Sequence, residues 1–231
     1  MYTPVNIYSV SGARKTYHHG DLRNALLRAG AELAESGGPN AVTIRAAARL
    51  VGVTPTAAYR HFAHHAELLE AVRELAGERL SAAMTRYLRR LAPTDDPVAA
   101  AVARLRSTGR GYIHFALTEP GLFRTAFLAE KGSAPSHRPE RSGPFGMLAD
   151  ALDSLVDVGY LAPEDRPLAE FAAWSAVHGL ALLLIDGPLR SLPQHQRNAV
   201  IDRALQVIER GLSTGQPITV PRHGRARPPR T

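Results

Sequence analysis

Apolar residues along the first third of the chain recur at helical rather than strand spacing. Leu22, Ala25, Leu26, Ala29 and Leu33 stand at i, i+3, i+4 and i+7 intervals, predicting an amphipathic helix. Asp21 falls in its first turn, where the dipole favours a negative charge, and Gly37, Gly38 and Pro39 stop it. Ile44, Ala47, Ala48 and Val51 give a second, shorter helix with one apolar face. Thr43 is placed to cap it through its hydroxyl, and Gly52 follows where a left-handed residue is usually needed. Thr54 caps a third helix whose first position is Pro55, where a missing N–H costs nothing. Thr43 to Phe62 therefore reads as a helix-turn-helix. Its second helix is small and polar on one side (Thr56, Ala57, Arg60) and fits a DNA major groove about 12 Å wide. A long helical pattern follows, with Leu68, Val72, Leu75, Leu80, Met84, Tyr87 and Leu91 near one face.

The remaining pattern is helical throughout, which predicts an all-α fold. Pro93 to Pro97 breaks the long helix, and a new one begins at Val98 with Val102, Leu105, Tyr112 and Phe115 apolar. Gly109 and Gly111 predict a bend or a packing contact within it. Pro120 ends it, and a short helix follows. Residues 131–143 form a polar Pro/Ser-rich loop, expected to be mobile. Further helices are expected over Phe145 to Val158, Pro167 to Ile185 and Gln194 to Leu212. The stretch from Phe171 to Ile185 is apolar enough to predict a helix buried on most sides, yet too short for the roughly 20 residues of a membrane span. The expected organisation is a flexible arm over 1–16, a helix-turn-helix domain over 17–65, a helical domain over 66–215, and a disordered basic tail over 216–231.

Composition narrows the function. Absence of cysteine removes disulfide and thiol chemistry and fits a reducing cytoplasm. No basic, apolar leader opens the chain, so no secretory signal is expected. Residues 1–65 hold seven Lys/Arg against three Asp/Glu, and residues 216–231 hold four Arg and no acid. The middle of the chain is close to neutral. Positive charge confined to the head and tail suits a polyanionic partner.

The segment from Tyr17 to Val72 resembles the N-terminal domain of the TetR family of bacterial transcriptional regulators. The pieces that carry the resemblance are HHGDLRNALLRAG, TIRAAARLVGVTPTAAYRHF and ELLEAV, in that order and spacing. They cover about a quarter of the chain. YIHFALTEPGLFRTAFL and WSAVHGLALLLIDG resemble the subgroup whose ligand domain carries a Trp…His-Gly signature, here Trp174, His178 and Gly179. The resemblance implies a homodimer built on the last two helices, a palindromic double-stranded DNA operator, and a small apolar effector that tilts the long helix. It implies no cofactor. One departure is notable: where many family members have a Ser, Asp or Asn cap followed by a phosphate-binding Lys, this chain has His64 and His65. A neutral imidazole is a poorer phosphate partner near pH 7.

The expected DNA contacts are Arg45, Thr56 and Tyr59, with Thr43, Thr54, Pro55, Ala57, His61 and His65 beside them. Arg45 can reach a phosphate or a guanine edge, the hydroxyls suit phosphate oxygens, and Ala57 suits a thymine methyl. Phe62 is expected in the core. The expected ligand-cavity wall is Tyr112, His114, Phe115, Phe123, Phe127, Met147, Trp174 and His178, an apolar set with few polar groups. For His178 the plain alternative is a hydrogen-bonded core histidine.

Other motifs carry less. Gly211 to Gly215 matches the hydrolase G-x-S-x-G pattern around Ser213, but that chemistry needs a strand before the serine and a partner histidine after it. The adjacent pairs His18–His19 and His64–His65 lack the i, i+4 spacing of a helical metal site, so no metal and no catalysis are expected. Two other functions remain open at this point: a small-molecule carrier whose head no longer binds DNA, and an architectural DNA binder without sequence preference.

Overall fold

The computed structural model describes residues 19–127 and 142–213. Among these residues the fold is all-α, with nine α-helices and no strand. The helices are α1 (His19–Gly37), α2 (Ile44–Val51), α3 (Pro55–Tyr59), α4 (His65–Leu88), α5 (Pro97–Thr118), α6 (Pro120–Ala126), α7 (Gly143–Asp157), α8 (Ala169–Ile185) and α9 (Gln194–Gly211). A 3-10 turn over Pro39–Ala41 links α1 to α2. The expected arm over 1–16, most of the 131–143 loop and the tail over 216–231 lie outside the described residues.

The local signals act as chemistry requires. Thr43 Oγ1 accepts from Ala46 N at 3.1 Å and Thr54 Oγ1 from Ala57 N at 3.3 Å, each filling an orphan donor of a helix start. Gly52 closes α2 at φ 77°, a conformation an L side chain resists. Asp96, from the Pro93–Pro97 break, caps α5 with Oδ1 accepting from Val98 N and Ala99 N.

One open alternative resolves and two expectations change in detail. Helix α5 runs unbroken through its two glycines. Of the two alternatives, Gly111 is the packing contact: a Cβ there would lie 2.5 Å from Met84 Cα, so α4 and α5 meet backbone to backbone. Helix α8 begins at Ala169 rather than Pro167, because Leu168 takes a left-handed φ of 68° that cannot continue a helix. Arg166 pairs with Glu170 at 2.6 Å and Asp153 at 2.7 Å across this corner, satisfying an otherwise buried carboxylate. Within one chain α8 is buried on one side only. Ala173, Val177, Leu180, Ala181 and Leu184 face inward, while Ala172, Ala176, Leu182 and Leu183 stay exposed.

The core does not divide at residue 65. One apolar cluster joins Leu26, Ile44, Ala47 and Phe62 to Leu68 and Val72, then to Leu80, Met84, Phe115 and Phe123, and on to Leu184 and Leu205. Helix α4 supplies both halves. A smaller cluster of Leu105, Leu152, Leu155 and Leu161 closes the far end.

Candidate functional site

The first site is the outer face of α2 and α3. Phe62 is fully buried beneath it, with the Arg23 guanidinium 4.8 Å over its ring, and Ala58 is the buried residue of α3. Burial of these two turns the opposite side of the short helix outward. Thr43, Arg45, Thr54, Pro55, Thr56, Tyr59 and His65 are exposed, while Ala57 and His61 are half-buried. Tyr59 shows 44% of its surface although it is aromatic, so the core does not account for it. The capping bonds use one acceptor lone pair of Thr43 and Thr54, leaving each O–H free to donate to a phosphate oxygen.

The segment from Thr43 to His65 contains Arg45, Arg49 and Arg60 and no acid, so the face is electropositive. Arg49, Leu50 and Arg60 are also exposed there and were not among the expected contacts. The absence of acids was legible in the sequence, but periodicity alone did not show which arginines shared a face.

His64 has a definite job. Its Nδ1 accepts from Glu67 N at 3.2 Å, and Glu67 Oε2 accepts from Ala63 N at 2.7 Å. This is a variant of the capping box, with histidine in the place of serine and Glu67 reaching back to the N–H of Ala63, one residue before the cap. A protonated Nδ1 is a donor and cannot accept, so charging His64 forfeits the cap of α4.

The second site is a cavity of about 280 Å³ lined by α4, α5, α7, α8 and α9 and the end of α6. Its wall is apolar over most of its extent, through residues such as Leu80, Met84, Leu105, Phe145, Leu148, Val177 and Leu205. Three of the eight expected residues line it: Tyr112, Phe127 and Trp174. The other five stand behind or away from the wall. Phe115 and Phe123 are fully buried in the core. His114 packs against the Tyr87 ring, centroids 5.4 Å apart, and Met147 packs on the main core. His178 lies one layer back, stacked on Phe123 at 5.4 Å.

Tyr112 connects these layers. Trp174 Nε1 donates to the Tyr112 hydroxyl at 3.1 Å, and that hydroxyl lies 2.8 Å from His178 Nδ1. With Trp174 donating in, the phenol proton is left for Nδ1, which sets the imidazole as acceptor on that side. Burial lowers the His178 pKa, keeping the ring neutral, and burial pushes the Tyr112 phenol well up, partly offset by the Trp174 hydrogen bond. His178 thus positions a wall residue rather than forming the wall. The sequence missed the charged members of the wall: Arg73 on α4, and Arg106 with its ion-pair partner Glu209 of α9.

Helix α6 joins the two regions. Its end carries the wall residues Ala126 and Phe127. Its start is seated on α1: Glu35 Oε2 accepts from Leu122 N at 3.1 Å, and a Cβ on Gly121 would lie 2.2 Å from the Ala34 carbonyl oxygen. Arg124 binds Asp186 at the end of α8 through two hydrogen bonds, 2.9 and 2.5 Å.

Ser213 follows helix α9 rather than a strand, and its Oγ donates to Arg210 O at 2.9 Å. That geometry lacks the strand-turn-helix of a nucleophile elbow. Among the described residues no group of three or more His, Asp or Glu is placed to hold a metal ion. No helix among them is long and apolar enough to cross a membrane.

Comparison with known proteins matches both regions. Residues 26–72 match the model of bacterial regulatory proteins, tetR family, and residues 105–208 match the tetracyclin repressor-like C-terminal domain. A solved protein of unknown function from Rhodococcus sp. RHA1 is 25% identical with a TM-score of 0.68, over 87% of this chain and all of its own. A TetR family transcription regulator from Marinobacter aquaeolei VT8 is 20% identical with a TM-score of 0.60, over 83% of this chain and 95% of its own. The TetR family transcriptional regulator PfmR from Thermus thermophilus is 24% identical with a TM-score of 0.56, over 81% of this chain and 98% of its own. The last two share the fold. No curated protein matches the chain.

Proposed function

Because the chain belongs to the TetR family of transcription regulators by both of its matched domains, we propose that it is a homodimeric repressor released from a palindromic operator by a small molecule. The observation that carries this reading is the outward face of α2 and α3. A five-residue helix, capped by Thr54 and started by Pro55, presents Thr56 and Tyr59 beside Arg45 on an acid-free surface. Core packing does not require that exposure; a major groove uses it.

Dimerisation is supported by the open stripe of α8. Ala172, Ala176 and Leu183 lie at i, i+4 and i+11, and Val207 of α9 is 60% exposed. A stripe that pairs with its own copy makes an isologous, two-fold contact, and two-fold symmetry matches half-sites about 34–36 Å apart or somewhat more. Ligand response is supported by the apolar cavity, whose wall includes the stalk helix α4. The Trp174–Tyr112–His178 chain supports the Trp-His-Gly subgroup for the ligand domain. The site of action is the cytoplasm.

The test is selection of a duplex from a random pool, followed by titration across a salt series. About 6–10 phosphate contacts per dimer give a log–log slope near 0.9 per contact. Failure to bind any selected duplex leaves a small-molecule carrier, and equal competition by random duplex leaves an architectural binder.

A further inference from the structure

The cavity wall is chemically lopsided. At one end Arg106 is ion-paired with Glu209, and both residues line the cavity, so that end is neutralised from within. At another stands Arg73, with no acid beside it in the wall among the described residues. Its partner is Glu70, one turn back on α4, which pairs through NH1 at 3.1 Å. The Glu70 side chain is 48% exposed and that of Arg73 only 24%, so the pair is solvent-screened on its acidic side. The Arg73 Nε is buried without a hydrogen-bond partner, as is that of Arg106 in the same wall and that of Arg197 elsewhere. Buried polar groups are rarely left in that state unless something outside the chain completes them.

Gly77 stands four residues after Arg73, on the same face of α4, and also lines the cavity. A glycine inside a helix costs about 0.5–1 kcal/mol relative to alanine. Here no close packing among the described residues requires it: a Cβ at Gly77 meets none of them within 4 Å. The stalk therefore keeps an open notch one turn from a part-buried guanidinium. Beyond the notch the wall turns apolar through Leu80 and Met84, and Arg73 to Met84 spans about 16 Å of helix.

We propose that the cavity takes an amphipathic monoanion, with its carboxylate-type head in the Gly77 notch against Arg73 and its apolar body along Leu80 and Met84. A dry cavity of about 150 Å³ accommodates benzene, so the 280 Å³ here suits a body of about 10–12 non-hydrogen atoms. This inference rests on the reading of the cavity as the effector site. It adds the class of effector and the residues that choose it.

The probes are decanoate and its neutral analogue 1-decanol, below their aggregation limits. Binding is read from the fluorescence of Trp174, the single tryptophan and a wall residue, and separately from operator affinity. Decanoate is expected to bind at least ten-fold more tightly than 1-decanol. Arg73→Gln is expected to bring the two within about two-fold while leaving 1-decanol affinity unchanged. Gly77→Leu fills the notch and improves helix propensity, so it is expected to fold and to lose decanoate at least ten-fold. Binding of 1-decanol as tight as decanoate, or a preference that survives Arg73→Gln, overturns the inference while the cavity remains the effector site. No response to either probe by protein that still binds operator overturns both. Decanoate held through Arg73 with operator affinity unchanged supports the ligand class and overturns the effector role.

Discussion

Gly121→Ala is the sharpest test of how the DNA-facing head is held to the rest of the molecule. A Cβ at this position would lie 2.2 Å from Ala34 O, 2.5 Å from Glu35 Cα and 2.6 Å from Glu35 O. All three are backbone atoms of α1, so no rotamer change relieves the overlap. Carbon–oxygen contacts settle near 3.3 Å or more, so α6 has to withdraw from α1 by about 1 Å. The Glu35 Oε2 to Leu122 N hydrogen bond, now 3.1 Å, then exceeds bonding distance. Overpacking of this kind costs about 1–3 kcal/mol, and a hydrogen bond to a charged group about 1.5–3 kcal/mol. Partial relaxation and the part-exposed setting of Glu35 reduce the sum to about 2–4 kcal/mol. At about 2–4 °C per kcal/mol for a chain of this size, the melting point falls by roughly 5–15 °C. Circular dichroism melting of the single variant reads this directly. Glu35→Gln, which keeps an acceptor and removes the charge, is expected to lose less than half as much. A Gly121→Ala protein that melts within about 1 °C of the parent would refute the reasoning, because α1 and α6 would then separate without cost.

Three further outcomes follow from the sites. Tyr59→Ala is expected to weaken operator binding at least ten-fold with the melting point unchanged, since the ring is 44% exposed; a loss of stability on melting would instead place the ring among the core contacts. His64→Ala removes the acceptor that caps α4 and is expected to cost about 0.5–2 kcal/mol, whereas His64→Asn retains it; equal denaturation midpoints for the two variants would show that the cap contributes nothing. Burial holds His178 below its ordinary value, so the unfolded chain binds its proton more readily than the folded one. Its contribution is whole above about pH 6.5 and declines as pH falls below that, and His178→Phe is expected to flatten the acid side of the stability profile while costing about 1–3 kcal/mol at pH 7.5, because the Tyr112 O–H loses its acceptor. Parallel pH profiles for parent and variant would contradict it.

The head was legible because its signals are local. A capping threonine, a left-handed glycine and a proline at a first helical turn act within four residues, and Thr43, Gly52, Thr54 and Pro55 stand as the sequence implied. The cavity was legible only in outline. Aromatic residues of α5, α6 and α8 share one neighbourhood, yet whether Phe123 or Phe127 meets open space depends on how three helices cross, and no periodicity encodes that. Arg73 and Arg106 escaped notice because a charged residue on an amphipathic helix reads as solvated. Only the approach of α9, bringing Glu209 to Arg106, and the gap at Gly77 reveal that these two side chains border a cavity.

The unbroken apolar seam along α4 bears on how such a protein can be recombined. Leu68 and Val72 pack with the head, while Leu80 and Met84, a few turns on, pack with the body. A cut after His65 would therefore strip the head of two of its largest inner contacts. A donor head transplanted onto this body has to bring the first half of α4 with it and present a surface on α1 that accepts Gly121 and returns a carboxylate to Leu122 N. Recognition of a new DNA sequence is thus exchangeable by editing the outer residues of α2 and α3 in place, whereas wholesale grafting at the apparent boundary yields two fragments that each lack part of their own interior.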